Sequence, residues 1–309
     1  PMQVSIIGNH ISVGFFIFLI GSFVIGVAAT ILQVVLNLYL TVCRIGKTTA
    51  LQRQMIGGTS NSIGMAIAPL VISYLIFHGT PLHDIVTKQF IIPLIILILI
   101  MLIITLLVGK TQMPSIDNVR QAPGEKFDKS VWSFRNLKLG VWGIFFYVGI
   151  EVAVGANVNM YASELGGSFA SNATHMAALY WGLLLLGRFL GSFIKQVPSE
   201  KQLVIASIGA IVLLVLAMLT ANPWILTLIG FFHSIMWPAI FTLATDQLGK
   251  YTTKASGVLT MGVIGGGIIP LLQGIFADVM GGNWLWTWLL VIAGEAYILY
   301  YGLNGYKQH

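Results

Sequence analysis

Nine long apolar segments are the feature of this sequence that most restricts how the chain can fold. The segments are 11–42, 54–77, 89–108, 137–162, 174–196, 202–220, 223–246, 255–279 and 284–303. Each is close to or longer than the roughly 20 residues that a helix needs to cross the hydrocarbon core of a bilayer. Only 8% of the residues are charged, about a third of the fraction in soluble domains. The pattern predicts an all-α polytopic membrane protein with nine transmembrane helices, since a β-barrel would show short alternating strands.

The basic residues indicate how these helices are oriented. When the first segment is placed entering from outside, all sixteen Lys and Arg residues except Lys88 fall on one face of the membrane. Cytoplasmic loops carry the excess of Lys and Arg in membrane proteins. We therefore expect a multi-pass protein of the cell inner (plasma) membrane with a cytoplasmic C-terminus. Topology then accounts for the net charge of +6, and nucleic acid is not an expected partner.

An internal similarity suggests how the segments are grouped. IGMAIAPL at 63–70 recurs as IGGGIIPL at 264–271, six segments later, with five of eight positions identical. Transporters built from parallel six-helix repeats place their site at the repeat interface, although Gly and Pro also recur freely in membrane helices. The organisation predicted is a partial N-terminal bundle of three helices at 1–108, a cytoplasmic linker at 109–136 and a C-terminal six-helix bundle at 137–309. Because Pro1 precedes Met2, we expect the chain to be internal to a longer one or cropped.

Several function classes are disfavoured by what the sequence lacks. It has a single cysteine, which excludes a disulfide framework and a cysteine-based metal cluster. It has no HExxH motif, no Gly-x-Ser-x-Gly elbow and no P-loop. An intramembrane enzyme is therefore the weakest hypothesis, and neither a metal nor an organic cofactor is expected.

Two carboxylates lie well inside the predicted membrane segments, namely Glu151 within FFYVGIEVAVGANVN (145–159) and Glu295. Because an ionisable residue at a helix centre costs at least ~2.5–3.5 kcal/mol on insertion scales, it usually faces a cavity or a partner. Tyr147 precedes Glu151 by one turn, on the same helix face, where it can donate a hydrogen bond. We predict that Glu151 binds substrate and carries the coupling proton, the alternative being a buried structural acid. Glu295 is predicted to be structural.

Other polar groups in the apolar segments suit sugar hydroxyls, because amides offer both donors and acceptors and a tryptophan can stack on a sugar ring. Each also has an ordinary explanation as interhelical contact or membrane-interface residue. The predicted substrate-binding residues are Gln33, Asn37, Asn61, Tyr147, Glu151, Trp237 and Gln273.

Two further features of the same segments concern coupling and movement. His233 is a second candidate for proton coupling, the alternative being a hydrogen-bonded core histidine. The run GVIGGGIIP has low intrinsic helix stability, so Gly265, Gly266, Gly267 and Pro270 are predicted to form a bending or closely packed gating helix.

Six stretches together resemble the fucose/glucose–galactose permease branch of the major facilitator superfamily. They are LQVVLNLYLTV (32–42), SNSIG (60–64), FFYVGIEVAVG (145–155), YWGLLLLGRFLGS (180–192) with its Gly187–Arg188 pair, MWPAIFTLATDQLG (236–249) and ASGVLTMGVIGGGIIPLLQGIFAD (255–278). The resemblance implies the major facilitator fold, with the nine segments as helices four to twelve of twelve and the first three lacking. It also implies alternating access, with Arg188 among the gating residues.

The resemblance further implies proton-coupled uptake of a monosaccharide. Gln33 falls where that branch has a membrane glutamate, and Asn61 matches its helix-five asparagine. An amide at position 33 cannot carry a proton, and the helix-one aspartate that the resemblance implicates in coupling lies in the part that this chain is expected to lack. Glu151 is therefore the candidate among the residues present. We expect a monomeric sugar:proton symporter in the lipid bilayer, with a small-molecule sugar as substrate and the proton gradient as energy source. The alternatives are a sodium-coupled or uncoupled sugar carrier, and a non-transporting membrane fragment or partner subunit.

Overall fold

The computed structural model describes residues 3–6, 9–43, 46–71, 91–112, 116 and 126–308. It begins with a short antiparallel hairpin in which β1 (Gln3–Ile6) pairs with β2 (Asn9–Ser12), Gln3 opposite Ser12. Ile11 and Ser12 therefore belong to a strand rather than to the first helix. The remainder of the described chain consists of helices joined by turns and irregular connections.

The α-helices follow the predicted apolar segments closely. They are α1 (Val13–Val42), α2 (Ala50–Leu70), α3 (Ile91–Lys110), α4 (Arg135–Leu165), α5 (Gly167–Ser171), α6 (Ala173–Gly191), α7 (Ser199–Thr220), α8 (Pro223–Thr245), α9 (Thr252–Thr260), α10 (Gly265–Val279) and α11 (Trp288–Tyr300). A 3₁₀ turn, Met261–Ile264, joins α9 to α10, and a π-helical turn, Tyr301–Gly305, extends α11. Parts of the second and third predicted segments, at 72–77 and 89–90, lie outside the described residues.

Within the described residues, six helical stretches are long and apolar enough to cross a membrane. They are Gly14–Val42, Ile91–Lys110, Arg135–Leu165, Ser199–Thr220, Pro223–Thr245 and Gly249–Val279. The chain is thus a multi-pass membrane protein, and the count of nine spans stays a prediction. The polar helix α2, the helix α6 and the short α11 are predicted spans that are not among these six stretches.

The helix α4 is the centre of the C-terminal bundle, where it packs against α6, α8, α10 and α11. Its buried face includes Leu137, Ile144, Ile150 and Ala153. The approach of α10 is very close, because a Cβ at Gly265 would collide with the Phe145 carbonyl of α4. Small residues permit such contacts between membrane helices, where lipid supplies no hydrophobic drive for association.

The glycine-rich start of α10 is helical. A Cβ at Gly266 would lie 3.0 Å from Val148, whereas one at Gly267 would meet nothing within 4 Å. Pro270 lies inside the same helix. Close packing at the first two glycines is therefore present, and the gating role of this helix stays a prediction.

Arg53 joins α1 to α2. Its guanidinium is buried and donates to the carbonyls of Leu40 at 2.7 Å, Thr41 at 2.8 Å and Thr48 at 2.7 Å. Those carbonyls lie at and beyond the C-terminal end of α1, where helical acceptors lack intrahelical partners and cations are favoured. These hydrogen bonds of Arg53 hold the start of α2 against the end of α1.

Candidate functional site

A cavity of about 1040 Å³ lies between the helices α1 and α2 on one side and α4, α6 and α8 on the other. Its volume is at the upper end of the range of about 300–1,000 Å³ for small-molecule sites. The lining includes six of the seven predicted substrate-binding residues, which are Gln33, Asn37, Asn61, Tyr147, Glu151 and Trp237, and also the predicted gating residue Arg188. It also includes residues that were not among the predicted site residues, such as Gln54, Ser62 and Trp181.

Glu151 is the acidic centre of the cavity wall. Its Oε1 accepts a hydrogen bond from the Tyr147 hydroxyl at 2.8 Å, as predicted from their one-turn spacing. The same oxygen lies 3.2 Å from Nη2 of Arg188, and the two side chains are only 13% and 11% exposed. Glu151 therefore has a fixed cation as its partner, because an arginine stays protonated in proteins.

Arg188 reaches the cavity from the last turn of α6. The charge pattern places Arg188 with the basic residues on the cytoplasmic side, but its guanidinium lies in the cavity rather than in a loop. Helical side chains point back toward the helix N-terminus, so the long arginine side chain extends away from the helix end. Its Nη1 donates to Ser62 Oγ of α2 at 2.8 Å. Arg188 thus connects α4 and α2 across the cavity.

The amides of α1 and α2 form the opposite wall. The Gln54 side chain donates to the Asn37 carbonyl at 2.8 Å and to Thr41 Oγ1 at 2.9 Å, which ties the two helices together. Gln33 lines the cavity one turn before Asn37. Asn61 is exposed, and its amide lies 3.6 Å from Met65 Sδ. This wall offers donors and acceptors facing the charged pair on α4 and α6.

Trp237 supplies an apolar face to the same cavity. It stacks on Phe241, one turn later in α8, with ring centroids 6.1 Å apart and an interplanar angle of 27°. Pro238 lies beside it in the lining. A ring held in this way is a flat surface next to hydrogen-bonding groups, which is the combination that carbohydrate rings require.

Two of the residues predicted to bind substrate or carry the proton do not line the cavity. Gln273 is fully buried, accepts from Asn157 Nδ2 at 2.9 Å and donates to Thr287 Oγ1 at 3.1 Å. His233 is also fully buried, with Nδ1 2.6 Å from the Tyr180 hydroxyl and Nε2 2.7 Å from Glu295 Oε1. Both lie inside the C-terminal bundle.

The His233–Glu295 pair and the Arg188–Glu151 pair were not found from the sequence. Their partners are separated by 62 and 37 residues. The available signal was that each ionisable group in an apolar segment needs a partner, but this rule does not say which one. In the part of the chain that the structure describes, no three His, Cys, Asp or Glu side chains group together as metal ligands would.

Comparison with known proteins agrees with this architecture. The family model described as Major Facilitator Superfamily matches residues 4–269. A glucose/galactose transporter of Brucella abortus biovar 1 (strain 9-941) is 34% identical over 301 residues, which cover 94% of this chain and 72% of the relative. A putative glucose/galactose transporter of Helicobacter pylori (strain J99) is 33% identical over 312 residues, or 96% and 75% of the two chains.

A more distant relative and a solved structure extend the likeness. The L-fucose-proton symporter of Escherichia coli (strain K12) is 27% identical over 292 residues, which cover 86% of this chain and 66% of the relative. The crystal structure of FucP, a major facilitator superfamily transporter in the outward conformation, matches with a TM-score of 0.80 and 24% identity over 94% of this chain and 76% of that one. The resemblance to the permease branch is thereby confirmed.

Proposed function

Because this chain belongs to the Major Facilitator Superfamily, a family of transporters rather than enzymes, we propose that it takes up a monosaccharide of the fucose, glucose or galactose class by proton symport through alternating access. The observation that carries this proposal is the Tyr147–Glu151–Arg188 cluster in a cavity between two groups of helices. The relatives named as glucose/galactose transporters support the substrate class. The relative named as a fucose-proton symporter supports the coupling ion.

Glu151 is the group that carries the proton in this mechanism. When its carboxylate is charged, it holds Arg188 in an ion pair across a weakly solvated cavity. Protonation removes the charge, leaves Arg188 free to bind elsewhere and allows Glu151 to donate a hydrogen bond. His233, the other coupling candidate, lies behind Glu151, with its ring against those of Tyr147 and Tyr180 and its Nδ1 on the Tyr180 hydroxyl.

The sugar lies between the charged pair and the amides of α1 and α2. Its hydroxyls bind Glu151, Arg188 and Asn37, while one face of its ring stacks on Trp237. Carboxylate and guanidinium groups form the stronger hydrogen bonds to such hydroxyls, because one partner is charged. Proton and sugar therefore act on the same side chains, which is the requirement for coupling them.

Alternating access follows from contacts that join the two helix groups. Gln52 of α2 donates to the Ser192 carbonyl just after α6 at 2.8 Å. Next to it, Met55 packs where a side chain on Gly191 would lie. With the orientation expected from the basic residues, these contacts are cytoplasmic and close the cavity on that side. Opening them while closing the opposite side would deliver the sugar to the cytoplasm.

Helix numbering, bundle organisation, oligomeric state and membrane orientation are proposed as the sequence predicts them. The described helices correspond to helices four to twelve of a twelve-helix plan, in a partial N-terminal bundle at 1–108 and a C-terminal bundle at 137–309, joined by the linker at 109–136. Much of that linker lies outside the described residues. The protein acts as a monomer in the inner (plasma) membrane, with its C-terminus in the cytoplasm.

The test is uptake of labelled L-fucose, D-glucose and D-galactose into proteoliposomes that contain the purified chain. An inward proton gradient should drive accumulation of one of these sugars, and a protonophore should abolish it. Accumulation driven by sodium instead would contradict proton symport and favour the sodium alternative, for which a human sodium-dependent glucose transporter 25% identical over 169 residues is a precedent. No uptake by inserted protein would favour a non-transporting fragment or partner subunit.

A further inference from the structure

A second polar cluster lies inside the C-terminal bundle, behind the cavity wall. His233 of α8 contacts the Tyr180 hydroxyl of α6 through Nδ1 at 2.6 Å and Glu295 Oε1 of α11 through Nε2 at 2.7 Å. The Tyr180 hydroxyl in turn lies 3.0 Å from the backbone carbonyl of Glu151. His233 and Glu295 are completely buried. The cluster thus ends on the backbone of the residue whose side chain enters the cavity.

The positions of the hydrogen atoms follow from counting donors. A tyrosine hydroxyl has one hydrogen to donate, and a backbone carbonyl can only accept. All of these contacts are hydrogen bonds together only when the Tyr180 hydrogen goes to the Glu151 carbonyl, because the carbonyl has no hydrogen to give whereas His233 Nδ1 can donate to the Tyr180 oxygen. In that arrangement His233 carries a hydrogen on Nδ1.

The same counting extends to Glu295. A neutral imidazole with its hydrogen on Nδ1 has a bare Nε2, so Glu295 Oε1 must supply the hydrogen between them. The other oxygen, Oε2, is buried and accepts no hydrogen bond from the described residues. A charged carboxylate oxygen left in that state is much more costly than the carbonyl oxygen of a neutral acid. The arrangement fits a neutral histidine bound to a neutral glutamic acid.

Close helix packing makes these contacts possible. A Cβ at Gly155 of α4 would lie 3.0 Å from Cε1 of Tyr180, so a larger residue would displace the tyrosine ring. At Gly230, one turn before His233, a Cβ would collide with the Tyr180 carbonyl. The two glycines let α6 lie against both α4 and α8, with the tyrosine hydroxyl between them.

We infer that His233 and Glu295 are positioning residues. They hold the Tyr180 hydroxyl in one orientation, in which it accepts from His233 and donates to the Glu151 carbonyl. The tyrosine in turn fixes the backbone of α4 at Glu151, whose side chain lies in the proposed sugar site. This inference rests on the proposed function of Glu151. It gives Glu295 a specific role in place of a general structural one. It also differs from proton carriage by His233, because the pair keeps its shared proton throughout.

Sugar exchange kinetics test the inference. Tyr180→Phe removes the hydroxyl and should raise KM about fivefold with little change in the maximal rate, the size expected for one lost hydrogen bond. Tyr161→Phe is the matched control, because the Tyr161 hydroxyl is buried in the same bundle with no partner among the described residues. Glu295→Met should raise KM by a similar factor, and Glu295→Gln should restore most of the loss, because its amide can donate to Nε2.

Two kinetic results would overturn the inference. One is an equal increase in KM for Glu295→Gln and Glu295→Met. The amide of Gln can donate to Nε2 as a neutral acid does, so an equal increase would show that this hydrogen bond does not position Tyr180. The other is a Tyr180→Phe effect of the same size in a Glu151→Gln background, because residues that act through one another are not additive.

A spectroscopic measurement separates this inference from the proposed function. Nitrogen NMR of ¹⁵N-histidine-labelled protein reports the tautomer of His233, whose signal is identified by its loss in His233→Asn. We expect a neutral ring with hydrogen on Nδ1, whether or not any sugar moves. A charged ring or a bare Nδ1 would overturn this inference, whereas absence of transport with the expected tautomer would count against the proposed function alone.

Discussion

Glu151 and Glu295 look alike in the sequence, since each is an isolated acid in an apolar segment, but their surroundings differ. Glu151 faces a cavity and pairs with an arginine, and its side chain is 13% exposed. Glu295 is completely enclosed and pairs with a histidine. The partner of Glu151 is thus a guanidinium that keeps its charge, whereas the partner of Glu295 is an imidazole that can be neutral. The difference between the proposed roles of the two acids, proton carriage by Glu151 and positioning by Glu295, therefore depends on the partner and on access to water rather than on position along the helix.

The largest expected effect would be produced by neutralising Glu151. Glu151→Gln should reduce sugar accumulation to equilibration, because an amide cannot carry a proton, while exchange of labelled for unlabelled sugar continues. Glu295→Gln is the matched variant and should retain most of the accumulation. Both are measured as steady-state sugar ratios across proteoliposomes under a proton gradient. Full accumulation of sugar by Glu151→Gln would contradict the proposal that Glu151, and not Glu295, carries the proton.

Removal of the arginine should be the next largest effect. Arg188→Gln leaves the weakly solvated Glu151 without its cation, which should cost about 3 kcal/mol of unfolding free energy, the lower end for a broken buried pair because both groups keep some exposure. The double variant Glu151→Gln/Arg188→Gln should recover much of this loss. The measurement is denaturant unfolding in detergent micelles. Strictly additive losses would mean that the pair does not stabilise the cavity wall.

A smaller effect is expected from crowding the Tyr180 contact. Gly155→Ala places a methyl group against the Tyr180 and Trp181 rings, and overpacking of this kind costs about 2 kcal/mol. Gly257→Ala is the control, because a Cβ there meets nothing within 4 Å. Thermal unfolding of the two variants should differ clearly. Equal stability would show that the packing of α4 against α6 is looser than described.

The smallest effect should come from the contact between α2 and α6. Ser62→Ala removes the hydroxyl that accepts from Arg188 but leaves the Arg188–Glu151 pair. We expect a loss of about 1 kcal/mol, the net value of one hydrogen bond. Ser60→Ala is the control, since that hydroxyl only donates to the Ile56 carbonyl of its own helix. A loss of unfolding free energy as large as that of Arg188→Gln would contradict this ranking and show that Arg188 is held mainly by α2 rather than by α4.

Local patterns in the sequence were sufficient for the membrane-embedded helices and for part of the site. Continuous apolarity predicted the helices, because a segment in lipid must satisfy its own backbone hydrogen bonds. The helical repeat predicted that Tyr147 would reach Glu151, and the structure places them 2.8 Å apart. The placement of Gln33 and Asn37 on one cavity-facing side of α1 follows from the same repeat.

Only the tertiary structure decided which distant groups meet. It paired Arg188 with Glu151, His233 with Glu295, and Gln273 with Asn157, across separations of 37, 62 and 116 residues. The physical reason is that helices in a bilayer are uniformly apolar outside, so hydropathy alone does not specify their rotation or neighbours. Those are set by small residues such as Gly155 and Gly265 and by the buried polar contacts themselves. The sequence by itself determined that the acids need partners, and the packing of the helices determined which partner each acid has.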